Sequence, residues 1–217
     1  FTAREHDRDM PFLPPSWARK LSRQDFVHRS LGTSWEYGYW WIELGGMYDT
    51  IRDNEQLRFE LLSVVLGVWD YIKNSGEFPD SAHWALETVG MIPGKRESRR
   101  LMGDYIMTQA DLEGAWKTFD DGVAIGGWNM DDHPPEGFDA PDKKPYQSIP
   151  VPEVYNISLG ALYSRNIANL MMAGRNISCS HVAFTSTRVM ATCSALGQAA
   201  GTAAAVCAHE SIWPKQL

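Results

Sequence analysis

The chain has 217 residues, of which 44% are hydrophobic and 22% are charged, and its net charge is −7 with a pI near 5.3. This composition is typical of a globular protein with a sizeable core and excludes an intrinsically disordered chain. The acidic balance argues against a nucleic-acid-binding protein, which normally presents a basic surface. The three cysteines (Cys179, Cys193 and Cys207) are too few and too widely spaced for a disulfide framework, and they lack the close pairing of a zinc site.

The first third of the chain is predicted to contain one strand and one long helix. Prolines make residues 1–36 irregular, because proline breaks long helices. Residues 37–44 (YGYWWIEL) favour a strand, since aromatic residues and Ile dominate them. Apolar residues at helical spacing then predict a helix that Asp49 or Thr50 caps and that runs to about Asn74.

The other predicted elements are shorter, apart from the last helix. They are strands at 83–92, 100–108, 122–128 and 167–173, a helix at 110–116, a long loop rich in Pro and Asp at 129–153, and a helix at 186–209. Strands and helices in this order predict an α/β or α+β fold.

Small side chains dominate residues 180–205, which contain no carboxylate. About 20 residues can span a bilayer, but large apolar side chains are few here and Gln198 lies near the middle, so we expect no membrane span. Gly197, Gly201 and Ala205 stand four residues apart and form one stripe without side-chain bulk. A helix-interior Gly costs up to about 1 kcal/mol relative to Ala, so the stripe predicts close approach to a helix, a sheet or a cofactor.

The N-terminal end of this helix predicts a site for an electron-rich group. The strand at 167–173 leads to Gly174 and Arg175, and Ser186 and Thr187 are candidate caps. A helix N-terminus carries partial positive charge and free N–H groups. Such an end suits a phosphate or the C2 carbonyl region of a flavin.

Several blocks of the sequence, in order, resemble a bacterial family of FAD-dependent oxidoreductases that is distantly similar to the fumarate reductase type. They are WWIELGG (40–46), PGKRESRR (93–100), GDYIMTQADL (103–112), GGWNMDDHPP (126–135), NLMMAGRNIS (169–178) and the small-residue segment from Ser180 to Ala205. The resemblance covers roughly residues 36–209. It implies an enzyme that transfers hydride from an alcohol-type substrate, a carbohydrate among the candidates, to FAD. It also implies a cap or substrate region at 1–165 and, at 166–217, the C-terminal strand and helix of a Rossmann-like FAD-binding domain.

One motif of that family is missing. The family begins with a strand, a GxGxxG turn and a helix that hold the ADP half of FAD. No GxGxxG occurs in this sequence. The resemblance therefore implies that the chain is the C-terminal part of such an enzyme. The expected partners are a small-molecule substrate and an N-terminal FAD-binding half or companion chain, and nucleic acid is not expected.

By resemblance, seven residues border the flavin: Gly174, Arg175, Ser186, Thr187, Arg188, Val189 and Met190. A glycine at such a position lets the backbone approach the cofactor closely. Arg188 can stabilise negative charge on the flavin, and a surface ion pair is the alternative role.

Two histidines are candidate proton carriers. His181 lies between the predicted strand and helix, where it can accept a proton from a substrate hydroxyl. A structural histidine is the alternative. His133 follows Asp131 and Asp132 in the predicted loop, and this triplet can serve acid–base chemistry, bind a metal or be only part of the loop.

Substrate contacts are predicted at two further places. Arg96 and Arg99, in a basic segment of an acidic chain, can bind an anionic or polyhydroxyl substrate, unless the segment is a solvated turn. Glu43 adjoins Trp40 and Trp41, which suits sugar recognition. Two other functions stay open: a non-catalytic glycan-binding module that uses the Trp residues, and a hydrolase that uses the Asp131–His133 triplet.

Overall fold

The structure is a computed structural model that describes residues 1–32, 34–114 and 118–217. The chain forms two compact units. The first contains residues 1–95 and 133–146, and the second contains residues 96–132 and 147–217. The predicted boundary at residue 165 separates a substrate region from a cofactor region, which is a functional division. The compact units do not test it, and it stays a prediction.

The first unit combines one long helix with a two-stranded sheet. Strand β1 (Thr2–Glu5) pairs antiparallel with β2 (Trp84–Thr88), with Glu5 opposite Trp84. Helix α1 spans Asn54–Asn74. Short 3-10 helices lie at Arg23–Phe26, Pro79–Ser81 and Gly137–Asp139.

Helix α1 confirms the predicted long helix, although it begins a few residues later than expected. The Asp49 carboxylate accepts hydrogen bonds from the backbone N–H groups of Ile51 and Arg52, at 3.0 Å each, and so holds a turn ahead of the helix. The face of α1 that carries Val64, Val68, Trp69 and Ile72 is buried in the core of this unit.

The strand predicted at 37–44 is wrong. Only Tyr37 makes an isolated β-bridge, to Thr2, and the chain turns at Trp40 and Trp41. Trp41 is instead buried in a column of aromatic rings: Tyr39 stacks on it at 4.9 Å between centroids, and Phe138 packs on it at 6.0 Å. Ring stacking, rather than backbone pairing, accounts for the aromatic composition of this segment.

The described residues of the second unit form two two-stranded antiparallel sheets and three helices. Strand β3 (Gly122–Gly126) pairs with β6 (Tyr155–Ser158), and β4 (Met130–Asp132) pairs with β5 (Gln147–Ile149). The helices are α2 (Gln109–Glu113), α3 (His181–Thr187) and α4 (Met190–Glu210), with 3-10 helices at Leu159–Ala161 and Pro214–Gln216.

Of the other four predicted strands, two are confirmed in part and two are wrong. β3 and β2 fall within the strands predicted at 122–128 and 83–92. Residues 100–108 and 167–173 form no strand and make only isolated bridges, Met107 to Cys179 and Tyr163 to Met171. The backbone groups of these two segments form single hydrogen bonds and turns instead of a continuous β-ladder.

Two further predictions need correction. The long loop predicted at 129–153 contains strands β4 and β5, so it is a hairpin-like pair whose intervening residues 133–146 belong to the first unit. The helix predicted at 110–116 corresponds to α2, and the part of that prediction at 115–116 lies outside the described residues.

The predicted C-terminal helix is two helices, bent by 93° between α3 and α4. The Ser180 side chain caps α3 by accepting a hydrogen bond from the N–H of Ala183 at 3.3 Å. The prediction that Ser186 or Thr187 caps the C-terminal helix is wrong, because both end α3 and no side chain caps α4. The break follows from Val189, whose extended backbone (φ −68°, ψ 150°) ends the helical path before α4 begins. Among the described helices, none alone is long and apolar enough to cross a membrane, and only this bent pair reaches that length and composition.

The glycine stripe of α4 makes no close contact within the described chain. A Cβ atom added at Gly197 or Gly201 would meet no atom within 4 Å, and Ala205 is exposed. The opposite side of the helix, which carries Leu196, Ala199 and Ala203, packs on the core of the second unit.

Candidate functional site

A network of charged side chains surrounds His181 at the start of α3. The imidazole Nδ1 lies 2.7 Å from Glu97 Oε2, and Nε2 lies 3.1 Å from Asp132 Oδ1. Both contacts are hydrogen bonds at the same time only when the ring carries both protons. The His181 side chain is 54% exposed, so a solute can reach it. The arrangement can receive a proton on the ring and stabilise the resulting cation with two carboxylates.

Two arginines extend this network over one buried ring. Arg100 pairs with Glu97, and Arg188 donates to the backbone carbonyl and the carboxylate of Asp131 at 2.9 and 3.0 Å. Both guanidinium groups lie over Phe184, at 5.8 and 5.6 Å from its centroid. Arg188 therefore makes an ion pair within the protein, which was its alternative role in the sequence, and its contact with a flavin stays a prediction.

The triplet Asp131–Asp132–His133 diverges. Asp131 pairs with Arg188, Asp132 contacts His181, and the Nδ1 atom of His133 pairs with Glu43 in the first unit. Successive side chains of a strand point to opposite sides, and the first two lie on β4. Three different partners give no support to a hydrolytic centre shared by the triplet. In the described parts of the chain, no group of three His, Cys, Asp or Glu side chains is placed to hold a metal.

Ser186 and Thr187 are fully buried at the end of α3. The Ser186 hydroxyl lies 2.7 Å from the Tyr155 hydroxyl and donates to the backbone carbonyl of Trp128. Burial raises the pKa of Tyr155 to about 12, so its phenol stays protonated in neutral solution. The Ser186 hydroxyl thus bonds within the core, and the flavin role predicted for Ser186 and Thr187 stays a prediction.

The predicted cofactor residues meet at the start of α4. No side chain caps this helix at Val189, and Met190, its first residue, is 89% exposed. Gly174 has a positive φ of 86°, and a Cβ atom there would meet only the Cys193 sulfur, at 4.0 Å. Burial raises the pKa of Cys193, and the nearby charge of Arg175 partly opposes this effect. The Gly174–Arg175 turn therefore borders the first turn of α4, as the sequence suggested.

The predicted substrate residues lie in different surroundings. Glu43 and His133 pair with each other, and the His133 ring meets Trp40 edge to face at 5.7 Å. Arg96 and Arg99 are exposed on a segment without regular secondary structure. Glu43 and His133 belong to the first unit, whereas the two arginines and His181 belong to the second.

Sequence reasoning missed Glu97 and Tyr155. Glu97 lies inside the basic segment 93–100, where its charge contrasts with the arginines around it, but its partner His181 is 84 residues away. Tyr155 lies 31 residues before Ser186. No local pattern in the sequence marks either pairing.

The whole chain was compared with known proteins. Residues 4–217 match the sequence model of a family described as FAD dependent oxidoreductase. Comparisons with curated proteins and with solved structures gave no match. The match spans nearly all of the chain and includes the His181 network and the start of α4. The chain therefore belongs to the FAD-dependent oxidoreductase family.

Proposed function

We propose that the start of α4 and the Gly174 turn contact the flavin of FAD. The observation that carries the proposal is the uncapped N-terminus of a 21-residue helix beside a glycine whose missing Cβ leaves open space. The free N–H groups and partial positive charge of such an end fit the electron-rich carbonyl edge of a flavin. Arg175 adds positive charge next to the same turn. This donor set suits the cofactor that the family implies.

We further propose that the substrate is an alcohol, a carbohydrate among the candidates, and that His181 takes its hydroxyl proton. When bound, FAD supplies a hydride acceptor. Glu97, at 2.7 Å, accepts a hydrogen bond from Nδ1 and directs Nε2 toward the substrate. The contact of Nε2 with Asp132 is longer, at 3.1 Å, and is the one that a substrate hydroxyl replaces. After proton transfer, Glu97 keeps its hydrogen bond with Nδ1, and the negative charge of the nearby Asp132 also stabilises the doubly protonated ring.

The ADP half of FAD needs residues of another kind. The family holds it with a GxGxxG turn, which this sequence does not contain. We propose that a dinucleotide-binding segment outside these 217 residues, on the same or a companion chain, supplies that turn. His133, Glu43, Arg96 and Arg99 stay candidates for substrate contacts.

The flavin proposal is tested by placing a negative charge at the start of α4. Met190→Glu changes an exposed side chain and preserves helix propensity, so the protein should fold as before. We expect FAD affinity to fall about fivefold in a fluorescence titration, because the new carboxylate opposes the cofactor's electron-rich edge at a helix end.

Two control variants isolate the effect of charge at this position. Met190→Gln has nearly the same shape without the charge, and Met91→Glu places the same charge on an exposed methionine of the first unit. Both should bind FAD like the unchanged protein. Equal affinities for Met190→Glu and Met190→Gln would contradict the proposed flavin position.

A further inference from the structure

A cavity of about 420 Å³ lies within the first compact unit. This volume is in the range of small-molecule sites. None of the residues proposed to contact the flavin lines the cavity. Its wall combines aromatic and polar side chains, among them Tyr39, Trp40, Tyr146, His28, Ser30 and Lys144.

The inner wall of the cavity is fixed by stacking. Tyr39 lies nearly parallel to Trp41, with centroids 4.9 Å apart and planes 6° apart. Trp41 in turn packs on Phe138, and both of these rings are buried. A packed column of three rings keeps the wall in place without a ligand, which reduces the ordering cost of binding.

A buried arginine holds the segment that precedes Lys144 and Tyr146. Arg29 donates to the backbone carbonyl of Gly137 at 2.7 Å and to that of Ala140 at 3.1 Å. These bonds fix the segment that leads directly into Lys144 and Tyr146. Arg29 thereby positions two residues of the cavity through the backbone.

Two exposed rings form a corner at the cavity. Trp40 and Tyr146 are 56% and 47% exposed, with centroids 5.8 Å apart and planes at 70°. Rings at this angle cannot enclose a flat heteroaromatic group between parallel faces. They suit a puckered ring that lays its C–H groups on one aromatic face while its edge meets the other. A sugar has this shape.

The polar groups of the cavity favour an anionic ligand. Lys144 has neither an ion pair nor a hydrogen bond within the described part of the chain, and the same holds for His28 and Ser30. The neighbouring Lys143, by contrast, pairs with Glu136 at 2.7 Å. Lys144 therefore offers an ammonium group without an ion-pair partner in the described part of the chain, beside the aromatic corner.

We propose that this cavity binds a sugar that carries a carboxylate group. The aromatic corner of Trp40 and Tyr146 contacts the ring, and Lys144 contacts the carboxylate. The proposal does not rest on the flavin site, because it concerns binding within the first unit and is measured without FAD.

The test is calorimetric titration of the full chain with three probes: D-glucuronate, D-glucose and AMP. We expect D-glucuronate to bind at least fivefold more tightly than D-glucose and AMP to bind most weakly. Trp40→Ala should lower the affinity for D-glucuronate at least tenfold. Lys144→Gln should lower it to the affinity for D-glucose. Each variant changes an exposed side chain, and unchanged thermal unfolding would confirm that it folds.

Matched controls use residues that do not line the cavity. Trp17→Ala removes another exposed tryptophan of the same unit, and Lys143→Gln removes the adjacent, paired lysine. Both should retain the affinity for D-glucuronate. Absence of D-glucuronate binding, equal losses in Trp17→Ala and Trp40→Ala, or displacement of D-glucuronate by AMP would each overturn the proposal.

Discussion

The hydroxyl pair of Tyr155 and Ser186 gives a prediction about how two buried side chains stabilise the core of the second unit. Ser186 has one hydroxyl proton and donates it to the carbonyl of Trp128, so Tyr155 must be the donor to Ser186. Tyr155→Phe removes one neutral hydrogen bond, worth about 1 kcal/mol. Ser186→Ala removes two and leaves the buried Tyr155 hydroxyl without an acceptor, which costs about 2 to 3 kcal/mol.

The double variant Tyr155→Phe with Ser186→Ala tests whether the two hydroxyl groups form one hydrogen-bonded chain or make independent contacts. Without the Tyr155 hydroxyl, Ser186→Ala no longer leaves a buried donor unpaired. Urea unfolding of the four proteins should therefore show a double variant that is at least about 1 kcal/mol more stable than additivity predicts. FAD affinity, measured on the same set, reports separately whether the Ser186 hydroxyl contacts the cofactor, as the family resemblance predicts.

Two results would refute this reasoning. If Ser186→Ala destabilises the protein no more than Tyr155→Phe, the assigned direction of the hydrogen bonds is wrong. If Ser186→Ala leaves stability unchanged but weakens FAD binding several-fold, the hydroxyl contacts the cofactor and its buried pairing in the present structure does not persist.

Three more predictions concern pH, glycine and proton transfer. Burial raises the pKa of Tyr155 from 10 to about 12, so its protonated phenol makes its full contribution to the free energy of unfolding below pH 10. That contribution is lost as the pH rises toward 12, and Tyr155→Phe should reduce the loss in urea unfolding. Gly67→Ala should destabilise the protein by at least about 1 kcal/mol in thermal unfolding, because its Cβ would lie 2.3 Å from the Arg19 carbonyl oxygen. With an alcohol that supports turnover, His181→Gln should lower kcat about 10² to 10⁴-fold at unchanged FAD content. Glu97→Gln should shift the pH profile of kcat, and a bell-shaped profile identical to that of the unchanged protein would contradict its positioning role.

Local patterns predicted the parts of the fold that local forces determine. The long helix α1 followed from apolar residues at helical spacing, and β3 from a short β-favouring segment. The segment 37–44 failed because its aromatic composition suits a strand and a ring stack equally well. The choice depends on Phe138, about 100 residues away, which packs on Trp41 and supplies the rest of the column.

The candidate site shows the same division. The family resemblance placed Gly174, Arg175 and Met190 in one continuous motif, and the structure has the Gly174 turn beside the first turn of α4. Their contact with a flavin stays a prediction. The bend between α3 and α4 was not predicted, although Val189 is a β-branched residue at the break. The carboxylates at His181 come from residues 84 and 49 positions away, and only the folded chain brings them together.

The two glycines of α4 have no packing partner within the described part of the chain. Gly67 in α1 shows what a packed helix glycine looks like, since the Arg19 carbonyl occupies the place of its Cβ. At Gly197 and Gly201 that place is open. Alanine at either position should therefore stabilise this chain by about 0.5 to 1 kcal/mol in thermal unfolding, in contrast to Gly67→Ala. A loss of stability in Gly197→Ala would show that another group packs on the glycine stripe in the purified protein. If that group belongs to a second copy of the chain, sedimentation would show that the variant associates less than the unchanged protein.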